Sequence, residues 1–416
     1  KPKVFIKKNE INLSKLDLFL SLKSFFSSDF LLKRAEVAFI RNDIKDLTKI
    51  TNIFLPRILN KQLNKIFSKG SLEGEFYIPF LPNGSVAKNY GFSGKISDAI
   101  INLNKKLSIK NLTTEISHGK KNEDDGFTLK IEKGLLSNLE LAGSTINLRH
   151  KENKTQIKSL LHTNGESNFS EIKTILSLFG ININIFNDIN VVANLKTNIK
   201  FDLSKKFKIK NSSYSTEGDI AYLELNTKEK RTIKKYLPQY DPKIILKDSK
   251  IKFIKTESNQ ILDLQGLIKT NEHYDNFNIK EKYNYNKNSF NIIGYLDLTN
   301  TKVEISRLNY NKKAGKKSDL NFDINFILNK YYNIKNLDFL AEDTKISLSD
   351  IKLNKNFEIL DLKKIKVKTF LNEIKNNDFL VDKSDKIVIF GEVFDAEPLL
   401  KSLYKKSDKK TFSGNF

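Results

Sequence analysis

The chain has 416 residues, with 72 Lys plus Arg against 49 Asp plus Glu, a net charge of +23, and no Cys, Met or Trp. Without cysteine there is no disulfide, zinc–thiolate site, iron–sulfur cluster or thiol nucleophile. At 39% hydrophobic the chain is too apolar to be disordered, and its length suits two to three domains or one elongated one.

No apolar run reaches ~18 residues, so no segment reads as a membrane-spanning helix. The chain starts at Lys1 and lacks methionine, and is expected to be an interior piece of a longer protein. The positive balance could attract phosphate in nucleic acid or in lipid head groups. The lysines are spread between apolar positions, however, which favours a solvated face. No zinc finger, RNP-like motif or compact basic helix is present, so nucleic acid is not an expected partner. His118, His150, His162 and His273 are scattered and lack metal-ligand spacing, so no metal is expected.

In chain order, Leu16, Leu18, Leu20 and Leu22 open a period-two pattern that predicts strands with one dry and one wet face. Residues 44–68 carry apolar residues at helical spacing from Leu47 to Phe67, interrupted at Pro56 and stopped at Gly70. Alternation returns at Phe76, Ile78 and Phe80, then at Phe127, Leu129 and Ile131, then at Ile146 and Leu148. Residues 169–179 predict a second helix, with Ser170 near its start and Gly180 as its stop. Val191, Ala193, Leu195, Thr197, Ile199, Phe201 and Leu203 alternate over thirteen residues as one long strand. A charged helix is expected at 226–237, ended before Pro238. Further strands are expected around Phe290, Ile292, Gly294, Leu296 and Leu298, and around Leu320, Phe322, Ile324, Phe326 and Leu328. Ile365, Val367, Ile387 and Ile389 continue the pattern. A last helix is expected at 395–405, capped by Asp395 with Pro398 in its first turn. Polar turns such as Pro82-Asn83-Gly84, 122–126 and 312–315 predict an antiparallel meander. A soft boundary near 165–185 divides the chain into 1–168 and 169–416.

No hydrolase, phosphate-loop, zinc-protease or dinucleotide motif is present. Gly91-Phe92-Ser93-Gly94 reads as a bulge or turn rather than a phosphate cradle. Asp124-Asp125 fits a turn, and Asp395 with Glu397 fits a helix start. Lys105-Lys106 and Lys405-Lys406 read as solvated pairs, and Tyr283, Tyr285 and Phe290 as ordinary strand residues. No catalytic residue, cofactor or enzymatic activity is expected. What stands out is roughly twenty to twenty-five one-sided strands, a sheet on the order of 100 Å across at ~4.8 Å per strand. Its dry face must close into a barrel, pack on a second sheet, or curl into a trough for an apolar ligand. The irregular strand spacing and interrupting helices argue against a membrane barrel.

Three stretches carry a family resemblance. The alternating opening from Ile11 to Leu22, followed by Phe30 to Val37, resembles an AsmA-type repeat. The segment from Leu55-Pro56-Arg57 through Asn64-Lys65-Ile66-Phe67 to Gly70-Ser71-Leu72-Glu73-Gly74 resembles the proline-led helix and glycine-bounded strand of the DUF3971 branch. The stretch Phe390-Gly391-Glu392-Val393-Phe394-Asp395-Ala396-Glu397-Pro398-Leu399-Leu400 is similar to the "G-x-x-x-D-A-x-P-L-L" end of alphaproteobacterial members. This chain lacks the Trp that many members carry near the helix proline.

The resemblance implies a periplasmic body of a Gram-negative envelope protein, held in the inner membrane by an N-terminal helix outside this sequence. The fold it implies is mainly β with a few short helices, a long, curved antiparallel sheet forming an elongated open groove. The function it implies is non-enzymatic transport of phospholipid between inner and outer membranes, by a monomer, in support of outer-membrane integrity. Its partners would be phospholipid acyl chains and the two membranes. The candidate groove lining is Leu16, Leu18, Leu20, Phe76, Ile78, Leu129, Ile131, Val191, Leu195, Ile199, Phe201, Ile292, Leu296, Phe322, Ile324 and Phe326. The alternative is a structural or assembly factor for outer-membrane proteins that pairs client strands at exposed sheet edges. A β-solenoid adhesin needs a fixed ~20–30-residue period, which is not found.

Overall fold

The structure is a computed structural model that describes residues 3–6, 9–26, 31–51, 65–87, 89–104, 106–119, 126–151, 154–177, 186–204, 209–227, 236–238, 241–269, 272–327, 330–383 and 386–401. The fold is mainly β, with a long, many-stranded antiparallel sheet and a few short helices. The chain divides into two compact units. Unit 1 comprises Lys1–Asn182 and Val192–Glu217, and unit 2 comprises Ile183–Val191 and Gly218–Phe416. The 169–177 helix, expected at the boundary, lies within unit 1.

Unit 1 begins with β1 (Lys3–Ile6), β2 (Asn9–Leu20), β3 (Leu32–Asp43), β4 (Phe67–Pro79), β5 (Gly91–Asn102), β6 (Ser108–His118) and β7 (Gly126–Leu136). Each pairs antiparallel with the next. The short β8 (Leu139–Glu140) and β9 (Thr145–Lys151) join β7 to β10 (Lys154–Asn168). Two long strands, β11 (Phe186–Ser204) and β12 (Ile209–Thr227), contribute residues to both units. Within unit 1, Lys154 Nζ on β10 lies 2.7 Å from Asp202 Oδ2 on β11, and Asn211 Nδ2 on β12 donates to the same oxygen at 2.9 Å. The Lys154 and Asn211 bonds hold the Asp202 carboxyl below the usual carboxylate range.

Unit 2 continues with β13 (Lys243–Lys255), β14 (Asn259–Lys269), β15 (Tyr274–Asn284) and β16 (Ser289–Asp297). The small hairpin β17 (Val303–Ile305) and β18 (Tyr310–Lys312) then leaves the main sheet. The sheet resumes with β19 (Ser318–Ile327), β20 (Tyr331–Ala341), β21 (Thr344–Asn354), β22 (Ile359–Leu371), β23 (Ile374–Lys383) and β24 (Ile387–Val393). β16 pairs with β19, and every other neighbour is the next strand in sequence.

Local chemistry explains both the turns and the bends. Asn372 and Glu373 both have positive φ and join β22 to β23 as a two-residue turn. Asp98, Asn111 and Asp248 also have positive φ and sit at register shifts inside β5, β6 and β13. Asp and Asn tolerate this region better than most residues. Such bulges strengthen local twist and bend a sheet.

Two short elements cover parts of the dry faces. In unit 1, α1 (Ile44–Thr51) starts where Asp43 Oδ1 accepts from the Lys45 amide at 2.7 Å. Its Ile44 joins Ile96, Ala99, Leu112, Ile131 and Leu141 in a filled core. In unit 2, the 298–317 insertion buries Leu298, Val303 and Tyr310 against Phe339, Ala341 and Ile346. Lys312 anchors it, donating from Nζ to the carbonyls of Thr299, Lys313 and Lys316 at 3.0–3.2 Å. Burial pushes this ammonium below its ordinary range. Asn377, with no exposed surface, donates to Leu308 O at 2.8 Å and accepts from the Asp395 amide at 3.1 Å.

Several expectations need correction. The 44–68 helix does not run to Gly70, because Phe67 already pairs with Ile101 in β4. Gly70 is a strand residue at φ +138°, where a Cβ would lie 2.8 Å from Ala99 Cβ, so it marks an irregular strand and not a helix stop. Tertiary pairing overrides the helical spacing there. Gly91-Phe92-Ser93-Gly94 is regular strand, in unbroken register with Tyr77 to Gly74. Leu22 falls in a 3₁₀ turn (Leu22–Phe25) after β2 ends. The second helix, α2 (Phe169–Ser177), has Ser170 in its first turn, as expected, and is capped by Asn168. Asn168 Oδ1 accepts from the Glu171 amide at 3.1 Å, and Glu171 Oε2 accepts from the Asn168 amide at 3.2 Å, a reciprocal capping box. The body of the predicted 226–237 helix, the Pro56 kink, Asp124-Asp125 and Lys405-Lys406 lie outside the described residues. The last helix is described over 397–401, with Asp395 Oδ1 accepting from the Glu397 amide at 3.0 Å.

Gly294 on β16 faces Phe322 on β19, and a Cβ there would lie 2.2 Å from the Phe322 ring. Gly294→Val should therefore cost about 1–3 kcal/mol by overpacking. Urea unfolding followed by far-UV circular dichroism checks this, and adding Phe322→Ala should make the two effects non-additive.

Candidate functional site

Residues directly opposite each other in an antiparallel ladder present their side chains on the same face. The registers therefore give the composition of each face. In unit 1, Leu16, Val37, Phe76, Phe92, His118, Phe127 and Leu148 form one row across seven strands. Leu18, Ala35 and Ile78 form the next row on the same side. Leu129 sits in a third row with Gly94, Ile116 and Ile146. The Phe76 and Phe92 rings lie 4.6 Å apart between centroids. His118 is sandwiched between Tyr90 at 4.6 Å and Phe127 at 4.5 Å, and its Nδ1 lies 2.8 Å from Gly126 O. A cleft of about 410 Å³ borders this end, touching Tyr77, Phe92, His118, Phe127, Leu148 and Arg149.

The predicted lining residues on β2, β4 and β7 thus share one face but not one environment. Leu16 and Leu18 are 43% and 51% exposed, while Leu20 and Ile78 are half-buried. Ile131, at 5%, is sealed in the core beneath α1 and offers no surface to a ligand. Along β11, Leu195 and Phe201 are half-buried, and Ile199 is buried at 8%. Val191, on the part of β11 that belongs to unit 2, is half-buried.

Unit 2 carries four adjacent apolar rows. Phe277, Leu296, Leu320, Phe339 and Ile346 form the row that the 298–317 insertion covers. Ile279, Gly294, Phe322, Leu337 and Leu348 form the next. The third runs Phe253, Leu262, Glu281, Ile292, Ile324, Ile334 and Ile351. The fourth runs Gln260, Tyr283, Phe290, Phe326 and Tyr332. Of the expected lining, Ile292, Phe322, Ile324 and Phe326 lie on one face of β16 and β19 and are half-buried. Leu296 packs against the insertion.

Sequence reading missed two features here. The first is an aromatic ladder. Tyr283 stacks on Phe290 at 4.2 Å, Phe290 on Phe326 at 4.7 Å, and Tyr332 on Phe357 at 4.8 Å, with Phe326 and Tyr332 5.6 Å apart. The second is Glu281, a carboxyl within an apolar row. The series Phe277, Ile279, Glu281, Tyr283 signals it, because Glu occupies an inward position of the alternation. Leu262 and Ile292 flank it across the sheet, Ile279 and Tyr283 along the strand. Gln260 Nε2 donates to Glu281 Oε1 at 3.3 Å. Burial pushes the Glu281 carboxyl above the usual carboxylate range, and the Gln260 bond opposes this.

Among the described residues, no group of three or more His, Asp or Glu could hold a metal ion, and no helix is long and apolar enough to cross a membrane. No family model, curated protein or solved structure matches the chain.

The raised Glu281 carboxyl fixes a pH dependence. The folded state holds this proton to higher pH than the unfolded chain, so Glu281 costs stability as pH rises through the window between the two. Its flanking row adds Gln260 and Tyr283, with Tyr285 beyond them and one cation, Lys255, opposite Gln260. Glu281→Gln should raise the urea midpoint at pH 7.5 and lose that advantage below the unfolded carboxylate range. Equal midpoint shifts at both pH values would contradict the assignment.

Proposed function

We propose that this chain binds phospholipid by its acyl chains and passes it along the dry face of its sheets without chemical change. The observation that carries the reading is the unit 2 face. Three largely apolar rows lie side by side beyond the 298–317 insertion, mostly half-buried and lined chiefly by Leu, Ile, Phe and Tyr on β14–β21, with Glu281 and Gln260 among them. Each CH₂ moved from water onto such a surface gains about 0.8 kcal/mol. A face of repeated apolar side chains gives similar free energy at successive positions, so a chain can slide without one tight site. The lysines of the wet face favour phosphate groups near the rims.

The resemblance to AsmA-like, DUF3971-type proteins supports placing this activity in the periplasm of a Gram-negative bacterium. There an N-terminal anchor outside the sequence would hold it to the inner membrane, and transfer toward the outer membrane would sustain that membrane's integrity. A monomer without cofactor suffices, since transfer along an apolar face breaks no bond.

One observation favours a second reading, a strand-pairing assembly factor. β24 is apolar on both sides and exposed, with Ile389 at 67% and Phe390 at 54%. Such an edge can accept another strand.

Native mass spectrometry of the purified chain should show co-purified phospholipid. Phe322→Asp, Phe326→Asp and Leu195→Asp should each reduce bound lipid several-fold while the far-UV spectrum stays β-type. Protein free of lipid, together with strand peptides that cross-link to β24, would favour the assembly reading instead.

A further inference from the structure

The half-buried and buried carboxylates of this protein are mostly answered. Asp202 has Lys154 and Asn211. Glu224 accepts from Tyr222 at 2.6 Å and lies 3.0 Å from Lys243 Nζ. Asp275 accepts from the Asn300 amide and side chain and from Thr301. Glu281 is different. Its Oε1 takes one neutral amide hydrogen bond at 3.3 Å, and its Oε2 takes none among the described residues. It has no ion pair there, yet it sits on the dry face between Leu262 and Ile292. A carboxylate in such a place is costly unless a donor or a positive charge meets it.

The surroundings specify what would meet it. Gln260 is held in place, because its Oε1 accepts from the Tyr285 hydroxyl at 3.2 Å while its amide nitrogen serves Glu281. Tyr283, two residues along β15, stacks on Phe290 and meets Tyr285 edge-on at 4.8 Å. A carboxylate with one oxygen unmet suits an ammonium group. Across β14, Lys255 pairs in register with Gln260, and its Nζ lies 5.6 Å from the Tyr285 ring centroid. The end of the face therefore offers a positive group for phosphate near a negative one for ammonium. The apolar rows beside it extend to Ile292, Ile324 and Phe322, where acyl chains would lie.

We propose that Glu281, positioned by Gln260 and bordered by Tyr283 and Phe290, receives the primary ammonium of an ethanolamine phospholipid lying on the unit 2 face. This rests on the lipid-binding reading above and names the head group that the face selects. A primary ammonium brings three N–H donors to the open carboxylate oxygen, whereas a choline head group brings charge but no donor. A glycerol head group brings hydroxyls but no cation.

The test uses the whole chain with detergent-solubilised ethanolamine, choline and glycerol phospholipids of identical acyl chains, mixed in equal amounts. Native mass spectrometry counts the bound species. The wild type should enrich the ethanolamine lipid about tenfold over the glycerol lipid, the scale of one charge-assisted contact, and more than the choline lipid. Glu281→Gln and Glu281→Leu should both bring the ratio to near one by loss of ethanolamine lipid, while lipid of all three classes is still bound. Two variants of opposite polarity guard against a folding defect, which a β-type far-UV spectrum also checks. Lipid bound without head-group preference, a preference that survives both substitutions, or equal uptake of choline and ethanolamine lipids would each overturn the site and leave the lipid-binding reading standing. No bound lipid of any class would overturn both.

Discussion

The structure depends on register. Each strand alternates apolar and polar residues, and side chains become a face only when neighbouring strands align the same parity. A slip of one residue would turn Leu262, Ile292 and Ile324 to water and bring polar neighbours such as Asp263, Asn291 and Asp323 inward. The ladders hold that parity across bulges. Where Asp248 adds a residue to β13, pairing resumes with Ile251 opposite Leu264, and the apolar side is kept. The bulges thus bend the sheet without exchanging its faces.

A one-sided sheet leaves its dry side to be dealt with, and the two units do so in part. In unit 1, α1 and the bulged ends of β4 to β6 close one region into a core around Ala99 and Leu112. In unit 2 the 298–317 insertion does the same over Phe339 and Ile346, fixed by the Lys312 ammonium and by Asn377. Beyond these covers most row residues of unit 2 are only half-buried. Lateral contact between rings and branched side chains removes part of their surface from water. The rest gains only when another apolar body arrives, at about 25 cal/mol per Å². That unspent free energy is the physical basis of the transport reading.

Polar groups on the dry side follow two patterns. Lys312 and Asn377 are satisfied by several partners and serve the fold. Glu281 has one weak partner and an open oxygen, beside aromatic rings. A half-satisfied group in a low-dielectric setting is expensive to the free protein. Its cost is offset when a donor-bearing ligand is present, which links the exception in the pattern to recognition.

The alternation along β2, β7, β11, β16 and β19 was readable because a strand repeats every two residues whatever it packs against. It determined the class, the meander and that residues an even number apart on one strand, such as Leu16 with Leu18 or Phe322 with Phe326, share a side. The α2 helix was readable from Phe169 onward because its spacing and polar start are local. Strand partners were not readable, because pairing is set between residues far apart in sequence. The chain alone therefore hid the end of the first helical stretch, where Phe67 pairs with Ile101, and the burial of Ile131 beneath α1. It also hid the stacking of Tyr283, Phe290, Phe326 and Tyr332 across four strands, and the enclosure of Glu281 by residues from two other strands. Periodicity fixes which side of a strand a residue occupies, but only the completed sheet decides what stands opposite it, and that neighbour sets its solvation and its use.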